Sequence, residues 1–162
     1  MKKEFTQIGS IKLAGITAKT NNNSETNPET AKIGITMQKY FGENFPDQIK
    51  NRKNPKKTFC IYTNFESDHT GEYTYFIGEE VTSFDGIDKN LSTLTIPEQK
   101  YVKFTNSPGP MPEVCIAMWQ ETWKMTPEDF GGNRSYIADF EVYDERSLDP
   151  QNTILDIYIG IK

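Results

Sequence analysis

The pattern of apolar and polar positions changes period several times along the chain, and each change marks an element. From Ile8 to Thr20, IGSIKLAGITAKT is rich in β-branched residues, which predicts a strand that kinks or bulges at the interior Gly15. The polar stretch NNNSETN then reads as a turn. Asn27, Pro28 and Glu29 look like an N-cap with proline at the first helical position. Behind them Ile33, Met37, Tyr40 and Phe41 recur at helical spacing, so the first helix is expected from Pro28 to about Phe41. TFCIYTNFE and GEYTYFIGEEV follow as two β-rich runs joined by the hairpin residues SDHTG, and SFDGIDKN closes the first half as a linker.

The second half repeats the order. LSTLTIPEQKYVKFTN reads as a strand whose KYVKFT segment alternates, SPGPMP as a turn, and PEVCIAMWQETWKM as a helix opened by Pro112 and stopped at Thr126–Pro127. SYIADFEVYDE and TILDIYIGIK then read as paired strands separated by RSLDPQN. The expectation is an α+β fold: two pseudo-symmetric β-α-β-β units, about 5–84 and about 91–162, within a single domain over 1–162. They would form a mainly antiparallel sheet with two helices and a ligand groove between the halves.

Strand alternation assigns faces. In the last strand Leu155, Ile157, Ile159 and Ile161 form a core side, leaving Tyr158 on a mixed side that is solvent or a cavity wall. In the preceding strand Ile137, Asp139, Glu141 and Tyr143 share one face. Glu141, set between Phe140 and Val142, is the position that asks for explanation, because a carboxylate among apolar neighbours loses its hydration unless water or a partner such as Arg134 meets it. On the second helix Cys115, Trp119 and Trp123 stack at spacing four beside Val114, Ala117, Met118 and Met125, an apolar surface wide enough to be mostly covered.

Composition narrows the chemistry. With 23 acidic against 18 basic residues the net charge is −5, which argues against direct nucleic-acid binding; the basic run KNRKNPKK reads as a solvated loop. No apolar run spans a bilayer and no leader is visible, so the expected location is cytoplasmic, without membrane. Cys60 and Cys115 read as small buried hydrophobes. The lone His69 has no second ligand at metal spacing, and Gly109, Gly131 and Gly132 do not follow the grammar of phosphate cradles, so neither a metal nor a cofactor is expected. A carboxylate amid plentiful aromatics, eight Tyr and ten Phe in the chain, suits a flat lipophilic cation. A buried carboxylate with a raised pKa also suits a general base, Glu141 with Tyr143 or Tyr73 assisting, acting on an electrophilic guest.

YTNFESDHTGEYTYFIGEEV, TIPEQKYVKF, PGPMPEVCIAMWQETW, DFEVYDE and ILDIYIGIK, taken in order, resemble the GyrI-like small-molecule-binding domain, the effector-binding half of AraC- and MerR-type multidrug-sensing regulators. The resemblance spans nearly the whole chain. It implies a stand-alone binding protein for lipophilic, cationic compounds, with the family glutamate at Glu141 and a wall of Tyr73, Tyr75, Trp119, Trp123, Tyr143 and Tyr158. It also implies two alternatives: a hydrolase of strained electrophiles such as cyclopropanoids, with Glu141 and Tyr143 catalytic, or a protein that protects DNA gyrase or acts with a regulator. Relatives end in IYIPIK, whereas here Gly160 stands in place of proline, a change expected to loosen the edge. The chain starts at its first strand, so no DNA-binding domain is expected ahead of it.

Overall fold

A computed structural model describes residues 1–162. Its strands are β1 (Lys2–Ile8), β2 (Ile11–Thr20), β3 (Thr58–Thr63), β4 (Tyr73–Glu80), β5 (Ser92–Ile96), β6 (Gln99–Thr105), β7 (Ala138–Tyr143) and β8 (Asp156–Ile161). The helices are α1 (Asn22–Glu25), α2 (Ile33–Gly42), α3 (Glu113–Trp123) and α4 (Pro127–Phe130). The fold is α+β. All eight strands join one antiparallel sheet in the order β1-β6-β8-β7-β3-β4-β2-β5.

That order is symmetric about its middle, where β7 meets β3, and the two halves of the chain supply equivalent strands on either side. At the centre FCIY (59–62) runs antiparallel to FEVY (140–143), with Cys60 directly opposite Glu141. Each half also lends its leading strand to the other. β1 pairs with β6 and β5 with β2, the chain crossing between partners at Gly9–Ser10 and at Pro97–Glu98. The run read as one strand from Leu91 to Asn106 is therefore two strands that part at Pro97, a residue unable to donate to a ladder.

Gly15 does not kink its strand; β2 passes through it unbroken. It faces Gly78 of β4, and a Cβ on Gly15 would lie 2.0 Å from the Ile77 carbonyl oxygen, so two glycines are what allow these backbones to approach. Gly160 likewise loosens no edge. β8 is an interior strand between β6 and β7, and the Gly160 N–H donates to Asp139 Oδ1 at 2.8 Å, a bond that proline could not make.

The first long helix begins at Ile33 rather than Pro28. The Asn27 side chain accepts from Glu29 N and shapes a turn that is not continued, while the Glu25 carboxylate accepts from Lys32 N and Ile33 N and so caps α2 from outside. α3 ends at Trp123, and Thr126–Pro127 opens α4 through a capping box with Asp129. Two single-turn helices thus join the two read from periodicity. None of the helices is long and apolar enough to cross a membrane.

Both helices of more than one turn lie on one face of the sheet. α2 covers a core containing Ile16, Tyr40, Tyr75 and Ile77, and α3 covers one built on Val102, Phe104, Leu155, Ile157 and Ile159. On the other face Phe59, Ile61 and Phe140 of the central strands pack with Ile96 of the edge strand β5, and Ile8 of β1 packs against the same cluster. Leu94 and Ile96 of β5 line one recess together with Ala138 of β7, although three strands separate β5 from β7 in the sheet order, so the sheet curls over this face.

α3 is less covered than its composition suggests. Only Met118 and Thr122 are buried, and Ile116 and Trp123 remain 51% and 41% exposed. The basic run is not wholly solvated either. Arg52 turns inward to clasp the buried Glu79 through two hydrogen bonds, of 3.1 and 2.6 Å.

Candidate functional site

Strand alternation in β7 sends Phe140 and Val142 into the curled face and Glu141 toward α3. The Glu141 carboxylate is 2% exposed, and four side chains close around it. Its Oε2 accepts from the Tyr62 hydroxyl at 3.0 Å, the Trp119 indole N–H at 3.1 Å and the Cys115 thiol at 3.5 Å, while Oε1 accepts from the Tyr143 hydroxyl at 3.0 Å. Tyr62 stands two residues beyond Cys60, as Tyr143 stands two beyond Glu141. Since Cys60 and Glu141 are paired, the two phenols approach the acid from opposite directions along the strands. Each of the four donors is partly exposed, so the buried acid is the floor beneath a ring of side chains that reaches the surface.

All four donors are neutral, and none of the protein's ion pairs includes Glu141. Arg134, the partner conceivable from sequence, binds Asp139 instead, at 2.5 Å. Burial raises the Glu141 carboxyl above its ordinary range, and the hydrogen bonds from Trp119, Tyr62, Tyr143 and Cys115 offset this only in part. The folded state thus holds this proton more tightly than the unfolded chain does. Stability is lost as pH climbs from the unfolded value, about 4.3, through the raised folded one. Thermal melting of wild type and Glu141→Gln in parallel should show the variant gaining on wild type across that climb. A difference between the two that stays constant with pH would contradict the assignment.

An aromatic wall extends from this floor. The Tyr62 ring meets Trp119 edge-on at 5.1 Å and packs against Tyr73 at 5.6 Å and Tyr75 at 5.7 Å. Tyr73 spends its hydroxyl on Asn22 and Tyr75 on the buried Cys60 sulfur, so both present rings rather than donors. Farther out, Phe65 bridges Tyr73 and Tyr136, and the Tyr136 hydroxyl lies 3.4 Å from His69. His69 in turn lies parallel to Trp123, with ring centres 6.4 Å apart.

The positions singled out in the sequence therefore separate. Trp119 and Tyr143 touch Glu141, Tyr73 and Tyr75 stand behind Tyr62, and Trp123 sits at the outer end beside His69. Tyr158 does not join them. It stacks on Phe140 at 4.7 Å across the curled face, because β8 pairs Tyr158 with Phe140 and the two residues share that side. There it lines a separate recess of about 350 Å³. Tyr62 and Cys115 were missed, though the likeness of FCIY to FEVY was a signal for Tyr62. Cys115 is also more than an inert hydrophobe, since its sulfur takes part in the polar network around the acid, whereas Cys60 is buried in the core and its sulfur accepts only from Tyr75.

Comparison with known proteins agrees with this architecture. The chain is 25% identical over 158 residues to the candidate transcriptional regulator YobU of Bacillus subtilis, covering 98% of this chain and 96% of that protein. It is 28% identical to an integron cassette protein from the mobile metagenome of Vibrio cholerae, with a TM-score of 0.78 over 99% of this chain and 95% of the other. The fold also matches that of SAV2435 bound to tetraphenylphosphonium, at 20% identity and a TM-score of 0.78, covering 100% of this chain and 94% of that one. The model of one family matches residues 4–161, and by that match the chain belongs to Cass2, the integron-associated effector-binding proteins.

Proposed function

We propose that this effector-binding protein takes up lipophilic cations on the helix-bearing side of its sheet, as a sensor or sequestering protein acting as one domain, with Glu141 as the counter-ion. The observation that carries this reading is the state of that carboxylate. Its lone pairs are satisfied by Tyr62, Trp119, Tyr143 and Cys115, yet no side chain neutralises its charge. Hydrogen bonds from neutral donors orient dipoles toward an anion but leave its net charge in place. A cation that arrives already stripped of water, as a lipophilic one does, supplies the missing charge at little desolvation cost of its own. Rings of Tyr62, Tyr73 and Trp119 around it would add about 0.5–2 kcal/mol per well-placed contact.

Entry requires the ring of donors to part. α3 carries two of the four donors, Cys115 and Trp119, both only partly covered, so a shift of this helix uncovers the acid. The likeness to SAV2435 bound to tetraphenylphosphonium supports the same guest class.

Titration with tetraphenylphosphonium, followed by quenching of the two tryptophans, tests the reading. Saturable quenching is expected, with the neutral triphenylphosphine oxide binding at least about 30-fold more weakly. Equal affinity for the charged and uncharged compounds would remove Glu141 from the role of counter-ion.

A further inference from the structure

In cation binding Cys115 serves only as the most distant of the four donors to Glu141. Cys115 lies in the first turn of α3, with its sulfur 3.5 Å from Glu141 Oε2 and 3.4 Å from the Tyr143 hydroxyl, which itself lies 3.0 Å from Glu141 Oε1. A thiol, a carboxylate that accepts from it and a phenol within reach of both form a nucleophile, a base and a hydrogen-bond donor at the floor of an aromatic wall. Cys60, on the opposite strand, is buried and receives a hydrogen bond from Tyr75, whereas Cys115 is partly open.

The geometry points to a second activity at this site: covalent capture of lipophilic Michael acceptors, α,β-unsaturated carbonyl compounds, by addition of Cys115 with Glu141 as base. It rests on the reading above that this face admits apolar guests. In the addition the thiol proton passes to Glu141 Oε2 as sulfur forms a bond to the β-carbon of the guest. The π pair of the alkene moves through the α-carbon onto the carbonyl oxygen, where the Tyr143 hydroxyl stabilises the enolate. Glu141 then returns the proton to the α-carbon. The net change adds S–H across C=C, with no oxidant or reductant and no leaving group.

Burial and the neighbouring Glu141 charge push the Cys115 thiol well above its ordinary pKa, so it rests protonated and is shielded from polar reagents. Selectivity should therefore follow the guest's apolar surface. A thiol that simply ionises in bulk solvent would show no such preference.

The test uses N-phenylmaleimide with the intact protein, read by whole-protein mass and peptide mapping. One adduct on Cys115 is expected, absent in Cys115→Ser. Relative to N-(2-hydroxyethyl)maleimide, the folded protein should favour the phenyl reagent at least about tenfold more than the guanidinium-unfolded chain does. Glu141→Gln, once its melting curve shows it folded, should react slower on the order of 100-fold. Saturating tetraphenylphosphonium should protect wild type. Labelling of Cys60 first, a Glu141→Gln rate equal to wild type, or an unchanged reagent preference would each overturn the proposal. Saturable tetraphenylphosphonium binding without any adduct overturns the addition chemistry alone, while absence of both overturns the binding reading on which it rests.

Discussion

Glu141→Gln is expected to weaken binding of tetraphenylphosphonium by about 100-fold, equivalent to about 2.7 kcal/mol, and to leave the affinity for triphenylphosphine oxide within about threefold. Glutamine matches the acid in shape and keeps one oxygen to accept from Tyr62 or Trp119, so the pocket should survive the exchange. What disappears is the charge, and it disappears from a position that is 2% exposed, where little water screens it. The amide also turns one acceptor into a donor facing a phenol or a thiol, which costs a hydrogen bond at most. Because that cost falls equally on charged and uncharged guests, the ratio of the two affinities isolates the charge. Fluorescence titration of both compounds against both proteins provides the measurement, and a parallel loss for the two would refute the electrostatic account.

The second large effect concerns stability. Arg134→Ala should lower the free energy of unfolding by about 3–5 kcal/mol, since it leaves Asp139 buried without its partner. The Arg134 and Asp139 side chains are 7% and 1% exposed and meet at 2.5 Å, and Asp139 is otherwise held by the Gly160 N–H. Arg134 also lies 4.4 Å above the ring of Tyr136, a residue held at a positive φ of 53°. Arg134→Lys should recover only part of the loss, because an ammonium cannot combine the planar stacking with the directed bond to the carboxylate. Replacing both partners by Met and Leu should recover more than lysine does. Urea unfolding reads this as a lower midpoint at unchanged slope. A loss under about 1 kcal/mol for Arg134→Ala would mean that Asp139 is satisfied without it.

Much of this protein was legible from one dimension. The alternation of ADFEVY placed Glu141 and Tyr143 on one face and Phe140 on the other, and the repeated strand, helix, strand, strand order described the two halves except for the extra leading strand of each, β1 and β5. Such features depend on residues a few positions apart, where the period of the backbone itself dictates which side chains share a side. The failures cluster where a partner distant in sequence decides. Glu25 moved the start of α2 from Pro28 to Ile33, and Gly15 proved to be a close approach to Gly78 rather than a kink.

The candidate site divides in the same way. Sequence alone determined that this chain carries an acid, Glu141, between apolar neighbours in a strand, a tryptophan-bearing helix and plentiful aromatic residues. Only the tertiary structure decided that β3 pairs with β7, which sets Cys60 opposite Glu141 and swings Tyr62 onto the acid, while Tyr158 falls on the far face. The register between strands from different halves is settled by the packing of the whole sheet, so a residue's own periodicity tells which way it points but not what it will find there.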